Sequence, residues 1–300
     1  MSGELPKHLF SVDVEEYFQV SAFERVVPRE RWRALPSRVA LGTALLLDLL
    51  ARHGTSGTFF VLGWVAERHP ELVRRIAAAG HEIASHGYWH RRVCTLTPGE
   101  FREDVRRARA VLEDVTGEEI TGFRAPSFSI TPGTEWALDV LLEEGHVYDS
   151  SLFPIHRPGY GHPAAPRSPG WIDCGSGRIF EFPLATARVL GARIPAAGGG
   201  YLRQFPYAVT RTAFRQHEAA GLPAVFYAHP WEVDAAQPRL DVGALTRLRH
   251  YRGLDVMLPR IERLLREFRF EPMRAALARR SERLGASSAA APGRALRLVS

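Results

Sequence analysis

The sequence predicts an α/β fold in which helices cover a mostly parallel sheet. Two observations support it: short β-like runs alternate with longer stretches of helical periodicity, and short turns rich in Gly or Pro join them. The chain has 300 residues, 45% of them hydrophobic, which is enough for one large domain to bury its own core. About seven β/α units are expected, arranged either as a barrel or as a doubly wound sheet.

The predicted elements follow one another in a regular order. The first strand is expected at residues 8–14, and Ser37 is expected to cap a helix that stops at Gly54. Pro70 and the capping-box pattern that begins at Thr97 mark the starts of two further helices. The remaining predictions are strands at 58–62, 81–85, 120–124, 146–149, 179–184 and 224–229, a helix from Thr131-Pro132, and an irregular Gly/Pro-rich stretch at 153–177.

Composition argues against several classes of protein. Lys7 is the only lysine, and the arginines behind the net charge of +6 are scattered among glutamates, so we expect no nucleic-acid partner. Cys94 and Cys174 lack the spacing of a zinc knuckle or a disulfide framework. No run approaches the ~18 consecutive apolar residues of a membrane span, and no secretory signal precedes the first strand. We therefore expect a cytoplasmic protein without a transmembrane segment.

Carboxylates follow the first predicted strand directly. Because side chains alternate along a strand, Asp13 and Glu15 share one face. A single acid at a strand end commonly caps the next segment or pairs with an arginine. In α/β folds, however, strand ends also carry the chemistry.

Two histidines, His86 and His90, follow the third predicted strand at a spacing of four. If that turn is helical, both imidazoles lie on one face and can bind one cation. The spacing alone is a weak signal in a chain with 12 histidines. Together with a carboxylate from another strand end, it becomes a two-histidine, one-carboxylate site of the kind that holds a catalytic divalent metal ion.

Two more strand ends carry polar residues. Arg124 can grip a carboxylate through its planar guanidinium, with Asp13 as the expected partner and Pro126 stiffening the turn. The last β-like run ends at His229. This histidine is either a buried structural residue or a proton donor at the same rim.

In order and spacing, these residues resemble the motifs of NodB-type polysaccharide deacetylases, carbohydrate esterase family four. The resemblance covers residues 8–270 and implies a deformed (β/α) barrel with about seven parallel strands. The segments at 11–18, 148–154, 198–201 and 226–232 further resemble a subgroup associated with exosortase and exopolysaccharide gene clusters. Residues 1–270 would then form the NodB-like domain, including a subgroup extension at about 198–270, and 271–300 a flexible tail.

The resemblance also implies roles for individual residues. Asp13 would be the general base, Arg124 would orient it, and His229 would be the general acid. Glu15, His86 and His90 would hold the metal, which imidazole chemistry leaves open among Zn²⁺, Co²⁺, Ni²⁺ and Fe²⁺. Because Val14 separates the two acids, Asp13 could instead contact the metal. The expected substrate-binding residues are Tyr88, Trp89, Pro126, Ser127, Phe128 and Trp231, and the backbone N–H of Tyr88 or Ser127 could stabilise the oxyanion.

The implied reaction is metal-assisted hydrolysis of an N-acetyl group on a sugar of a polysaccharide. With a cytoplasmic location, the substrate would be an N-acetylated polysaccharide or a lipid-linked glycan precursor in exopolysaccharide biosynthesis. One alternative is an amidohydrolase for small amides such as allantoin, which predicts a closed pocket in place of an open groove. Another is a non-catalytic carbohydrate-binding protein, which predicts the loss of a site residue. The oligomeric state stays open.

Overall fold

A largely parallel sheet forms the centre of the protein. The computed structural model describes residues 5–157 and 159–286. Strand β1 is an interior strand of the sheet with every residue buried, as its apolar run predicts. The strands are β1 (His8–Val14), β2 (Thr58–Val61), β3 (Glu82–Ser85), β4 (Gly122–Phe123), β5 (Tyr148–Asp149), β6 (Gly170–Cys174), β7 (Gly177–Glu181), β8 (Thr186–Val189), β9 (Ala192–Pro195), β10 (Val225–Ala228) and β11 (Phe270–Glu271).

The strand order is β10-β1-β2-β3-β4-β5-β7-β6, and β11 pairs with the start of β1. The first seven strands of this order are mutually parallel, whereas β6 is antiparallel to β7. This confirms the predicted α/β class with about seven parallel strands. Among the described residues the strand ladder does not close into a complete barrel. Single backbone hydrogen bonds, from Ala185 to Val225 and from Tyr227 to Ala197, connect the two sides of the gap.

Helices pack against the outside of the sheet. They are α1 (Val39–Arg52), α2 (Gly63–Arg68), α3 (Pro70–Ala78), α4 (Pro98–Thr116), α5 (Trp136–Glu143), α6 (Gly199–Gln204), α7 (Tyr207–Ala219), α8 (Ala244–Tyr251), α9 (Met257–Glu267) and α10 (Met273–Ala286). Short 3-10 helices lie at Ser21–Phe23, Arg29–Ala34, Val93–Thr95, Pro126–Phe128 and Pro230–Val233. The predicted capping box at Thr97 is present, and Gly117 ends α4 in the left-handed conformation.

The start of α1 differs from the prediction that Ser37 caps it. The N-cap position is Arg38, and the capping group comes from the buried carboxylate of Glu16. That carboxylate accepts hydrogen bonds from the backbone N–H groups of Arg38 and Val39 and from the Ser37 hydroxyl. A carboxylate at a helix N-terminus satisfies both the free N–H groups and the helix dipole.

Two other predicted segments need correction. Helix α5 begins at Trp136, after a turn in which Thr134 accepts from the backbone N–H of Thr131, so Thr131-Pro132 does not open the helix. The stretch at 153–177 is not wholly irregular, since β6 pairs with β7 inside it through Ile172 and Ile179. Ile172 is buried against the α5 side of the sheet, which supplies a packing reason for this strand.

The predicted flexible tail from residue 271 is wrong for residues 271–286. Glu271 belongs to β11, and α10 follows directly. Met273 and Ala276 are buried in the cluster around Phe180, because the strong helix formers of this segment also place apolar residues on one face. Residues 287–300 lie outside the described part of the chain. Among the described residues, none of the helices combines the length and hydropathy needed to cross a membrane.

Candidate active site

The carboxyl ends of β1, β3, β4 and β10 bring the polar residues singled out in the sequence into one buried cluster. Asp13 lies near the end of β1 and Glu15 directly follows it, with exposed fractions of 2% and 1%. The ring of His229, which follows β10, faces both acids. Its Nε2 lies 3.9 Å from Asp13 Oδ2 and 3.7 Å from Glu15 Oε1. Both acids therefore reach the same site.

Glu15, His86 and His90 form a cluster of possible metal ligands. One donor atom from each lies within 4.8 Å of the other two, and all three side chains are buried. The closest contact is the 2.7 Å between Glu15 Oε2 and His90 Nε2. The arrangement places Glu15, rather than Asp13, beside the two histidines.

A tight loop positions the two histidines, and the turn between them is not helical. Residues 86–90 contain no helix, and both Gly87 (φ 73°) and His90 (φ 53°) adopt the left-handed conformation. Asp104 on α4 holds the loop by accepting the backbone N–H groups of Tyr88 and Trp89, at 2.7 and 3.2 Å. A Cβ at Gly87 would meet this same carboxylate at 2.7 Å, so a side chain there would disturb the loop.

The donor set fits a divalent cation. His86 Nδ1 lies 2.8 Å from the carbonyl oxygen of Arg124, a contact that fixes the ring and leaves Nε2 free to bind. Although it is close to His90, Glu15 Oε2 accepts no hydrogen bond of good geometry in the described part of the chain. Two imidazoles and one carboxylate are ligands suited to Zn²⁺ or a similar transition metal ion.

Arg124 is fully buried and holds Asp13. Its Nη1 donates to Asp13 Oδ1 at 2.6 Å and to Ser11 Oγ at 2.8 Å. Its Nε and Nη2 donate to the carbonyl and the hydroxyl of Ser150, which follows β5. The guanidinium also lies over the ring of Phe60, 4.1 Å from its centre. The predicted Asp13–Arg124 pair is present, whereas the sequence analysis missed the support from Ser11 and Ser150.

Glu232 is a site residue that the sequence analysis missed. Its Oε2 lies 3.0 Å from His229 Nδ1 and accepts the His229 backbone N–H at 3.1 Å. Its Oε1 accepts from Arg203 Nε at 3.0 Å. The sequence did contain a signal for this contact. Pro230 opens a short turn after His229, and such a turn brings the residue three positions after the histidine, Glu232, back to it. Glu232 leaves Nε2 of His229 as the nitrogen that faces Asp13 and Glu15.

Trp231 orients Glu15 and is not an exposed stacking surface. Its indole Nε1 donates to Glu15 Oε1 at 3.0 Å, and only 7% of the residue is exposed. Its ring is stacked between His229 and His250, with centroid distances of 5.0 and 4.2 Å. Trp231 thus contacts a candidate metal ligand, and its substrate-binding role stays a prediction.

Tyr88, another predicted substrate-binding residue, lies inside the protein. The side chain is fully buried and its hydroxyl binds Glu67 and Arg107, on the side of helices α2 and α4. Its backbone N–H donates to Asp104, so this group is not free to stabilise an oxyanion.

Pro126, Ser127 and Phe128 form a strained turn after Arg124. Ser127 and Phe128 have φ values of 56° and 52°, a conformation that non-glycine residues adopt at an energetic cost and that concentrates at functional sites. The hydroxyl of Ser127 lies 2.8 Å from that of Ser21. Pro126 and Phe128 are buried, and the Phe128 ring packs edge-on against Tyr227. The substrate-binding roles of these three residues stay predictions.

A cavity of about 460 Å³ adjoins the site at His90. Trp89, which is partly exposed, forms one wall, and the segment between β1 and α1 forms much of the rest. The lining residues are Phe18, Gln19, Val20, Glu24, Val27, Pro28, Arg29, Glu30, Trp32, Trp89, His90, Arg91 and Thr95. This mixture of aromatic and hydrogen-bonding groups suits a sugar better than a purely apolar ligand.

Burial and neighbouring charges shift the pKa values of the cluster in opposite directions. Burial lowers the pKa of His86 to about 4, so this ring is neutral as a ligand must be. Burial also acts to lower the pKa of His229, but the carboxylates of Glu15, Glu232 and Asp13 outweigh it and raise that pKa to about 9. For Glu15, the nearby histidines overcome the effect of burial and hold its pKa below the usual range. The protein alone thus keeps a proton on His229 at neutral pH.

Comparison with known families divides the chain into two matched parts. Residues 39–141 match the polysaccharide deacetylase family, and residues 150–278 match a domain of unknown function (DUF3473). The first match contains His86, His90 and Arg124, and the second contains His229 and Glu232.

Among curated proteins, the chain is 32% identical over 143 residues to a chitooligosaccharide deacetylase of Bradyrhizobium sp., which covers 48% of this chain and 58% of that protein. It is 52% identical over 150 residues to a chitooligosaccharide deacetylase of Rhizobium leguminosarum bv. trifolii, covering 49% and 60%. A peptidoglycan-N-acetylglucosamine deacetylase of Bacillus cereus is 33% identical over 98 residues, covering 32% and 36%. The chain thus spans no more than 60% of the length of these relatives.

Two solved structures share the fold. A protein of Mycobacterium smegmatis described as a candidate polysaccharide deacetylase superposes with a TM-score of 0.63 at 21% identity, over 100% of this chain and 97% of that one. The allantoinase Puue superposes with a TM-score of 0.56 at 19% identity, over 91% and 89%. At such low identity, these likenesses establish the architecture alone.

Proposed function

We propose that this chain is a NodB-type polysaccharide deacetylase of carbohydrate esterase family four and that it hydrolyses N-acetyl groups on the amino sugars of a polysaccharide. One observation carries the proposal: the three candidate metal ligands lie beside Asp13 and His229 in one buried cluster. Metal-assisted hydrolysis of an amide uses a Lewis acid, a base for the attacking water and an acid for the leaving amine. This cluster offers all three within a few ångströms.

In the proposed reaction, Glu15, His86 and His90 would hold a divalent cation, and the bound cation would supply Lewis-acid polarisation of the acetamide carbonyl. Asp13 removes a proton from the attacking water as the water oxygen bonds to the carbonyl carbon. Arg124 occupies Asp13 Oδ1, so Oδ2, the oxygen nearer His229, is available to take that proton. The carbon–nitrogen bond then breaks as His229 Nε2 gives its proton to the nitrogen, which leaves acetate and a free amine.

Glu232 and Arg203 support the acid in this scheme. Glu232 holds Nδ1 of His229, so the proton to be transferred lies on Nε2, the nitrogen that faces the cluster. Arg203 in turn fixes the carboxylate of Glu232. This arrangement orients the ring and stabilises its protonated form, as expected of a histidine that acts as a general acid.

The names of the relatives favour glycans that contain N-acetylglucosamine as the substrate class. The cavity beside His90, with Trp89 at its wall, is large enough for a sugar residue next to the reacting one. Zinc as the metal, a role in exopolysaccharide biosynthesis, a lipid-linked precursor, a cytoplasmic location and membership of the exosortase-associated subgroup all stay predictions.

The test is acetate release from N-acetylglucosamine oligomers by the full chain, measured with and without a chelator and after Zn²⁺ is restored. We expect acetate to appear, to be lost on chelation and to return with the metal. Allantoin is assayed in parallel. Hydrolysis of allantoin with no acetate from any glycan would replace the proposal with the small-amide alternative, and glycan binding with neither activity would favour the non-catalytic one.

A further inference from the structure

A β-hairpin far from the candidate ligands in sequence combines two locally unfavourable features. Strands β8 and β9 are antiparallel, with Val189 paired to Ala192, so that Leu190 and Gly191 form a two-residue turn. Both turn residues have positive φ values, 49° and 82°. Turns of this kind favour Asn-Gly, because asparagine and glycine tolerate the left-handed conformation, whereas leucine adopts it at a cost.

Burial of the leucine side chain does not offset that cost. Leu190 is fully exposed, and Val189 beside it is 40% exposed. An apolar side chain that contacts solvent on all sides contributes no burial energy to the native state. The exposed hydrophobic tip of the hairpin therefore lowers the stability of the folded protein.

The second unfavourable feature is a pair of like charges. Arg188 and Arg193 lie directly opposite each other on the two strands, an arrangement that destabilises a hairpin. Burial and the neighbouring charges of Arg167 and Arg188 lower the pKa of Arg193. The side chain of Arg193 donates to the carbonyl of Pro154. Val189 and Leu190 thus form an apolar tip. The three arginines behind it, Arg188, Arg193 and Arg167, are called the basic collar.

The hairpin is firmly attached to the body of the protein. The side chain of Gln216 on α7 accepts the backbone N–H of Arg188 and donates to its carbonyl, both at 2.8 Å. At the base, Ala187 and Ala213 pack in a small buried cluster between the hairpin and α7. The tip is therefore presented on a fixed support, and its exposure is a property of the folded chain.

We propose that this hairpin docks on a membrane surface that contains anionic lipids. Val189 and Leu190 would enter the region between headgroups and acyl chains, while Arg188, Arg193 and Arg167 would bind the headgroup phosphates. An apolar tip with a basic collar matches the order of chemical groups across an anionic bilayer surface. An acidic polysaccharide would satisfy the arginines but offers no apolar phase for Leu190. The inference is independent of the proposed function, because no residue of the candidate active site takes part.

The test measures co-sedimentation of the full chain with vesicles of phosphatidylcholine mixed with phosphatidylglycerol, against vesicles of phosphatidylcholine alone. We expect binding to the mixed vesicles that weakens at high salt. Leu190→Asn should lower the binding constant about fivefold or more, because it removes the inserting side chain. Since asparagine suits the turn better than leucine, the thermal midpoint of this variant should stay equal or rise. A mere structural role for Leu190 predicts no change in vesicle binding.

Arg188→Gln should reduce binding about fivefold by removing one headgroup contact. The matched controls are Leu248→Asn and Arg74→Gln, which change exposed residues elsewhere on the protein and should leave vesicle binding unchanged. Absence of binding to mixed vesicles, or equal binding by Leu190→Asn, would overturn the proposal. Binding to an acidic polysaccharide that depends on Arg188 but not on Leu190, with no vesicle binding, would overturn it in favour of a glycan surface.

Discussion

Two substitutions of Arg124 test separately the contribution of its positive charge and the contribution of its planar hydrogen-bonding group. In Arg124→Met, the buried carboxylate of Asp13 loses its cation, a change that costs about 3–5 kcal/mol of folding free energy in comparable buried pairs. Arg124→Lys keeps the charge, but an ammonium group cannot reach Asp13, Ser11 and both acceptors on Ser150 at once. Loss of two of these hydrogen bonds, at about 1 kcal/mol each, predicts a cost of about 2 kcal/mol.

The assay is urea unfolding of the full chain at neutral pH, with acetate release measured on the folded variants. The control is Arg178→Met, which breaks an exposed ion pair with Asp173 and should cost less than about 1 kcal/mol. We expect stability in the order wild type, Arg124→Lys, Arg124→Met, and a loss of activity in both Arg124 variants because Asp13 is no longer held. Equal stability of Arg124→Met and wild type, or full activity in Arg124→Lys, would refute this account of Arg124.

Two further predictions concern a positioning residue and the response to acid. Glu232→Gln keeps an acceptor near His229 but removes the charge, so kcat for acetate release should fall about 10- to 100-fold with little change in KM. The control Glu113→Gln on α4 should have no effect. An unchanged kcat in Glu232→Gln would exclude the role given to Glu232. Burial lowers the pKa of His146 to about 3, so the native state keeps this ring neutral while the unfolded chain takes up a proton below about pH 6.5. The stability that this histidine contributes is present above that pH and is lost as the pH falls toward 3, at up to about 1.4 kcal/mol per pH unit. Urea unfolding against pH should therefore show a shallower slope for His146→Gln and the wild-type slope for the exposed His156→Gln, and an unaltered slope in the first variant would contradict the burial argument.

The sequence was sufficient to place the site at the ends of the strands. Because side-chain direction alternates along β1, Asp13 and Glu15 come within reach of one site, and parallel strand order brings His86 and Arg124 to the same edge. These conclusions depend on the periodicity of side chains and the order of strands along the chain, both of which can be read from the sequence. The Asp13–Arg124 pair could be predicted for the same reason.

Contacts from distant elements could not be predicted. Asp104 shapes the loop of His86 and His90 from helix α4, 16 residues after Tyr88 in the chain. No local sequence pattern distinguishes this carboxylate from the other acidic residues of the helix. Ser150 supports Arg124 from the next strand, 26 residues away. Gly87 and the Asp104 carboxylate favour a tight loop at His86, so the spacing of four between the histidines does not correspond to a helical turn there.

The direction of side chains beside the motifs could not be predicted either. Tyr88 and Trp231 lie beside the motif histidines, so adjacency in sequence suggested a sugar-binding surface. Tyr88 points to Glu67 and Arg107, and Trp231 points to Glu15, because each has a polar tip that finds its partner inside the protein. Composition likewise missed α10, whose helix-forming residues pack through Met273.

The central claim is that one cation at Glu15, His86 and His90 works with Asp13 as a base. It is tested most directly by measuring bound zinc and acetate release on the same samples of wild type, Asp13→Asn and His86→Ala. The account predicts zinc with acetate release in the wild type, zinc without acetate release in Asp13→Asn, and loss of both in His86→Ala. Loss of zinc in Asp13→Asn, or acetate release by zinc-free His86→Ala, would contradict it.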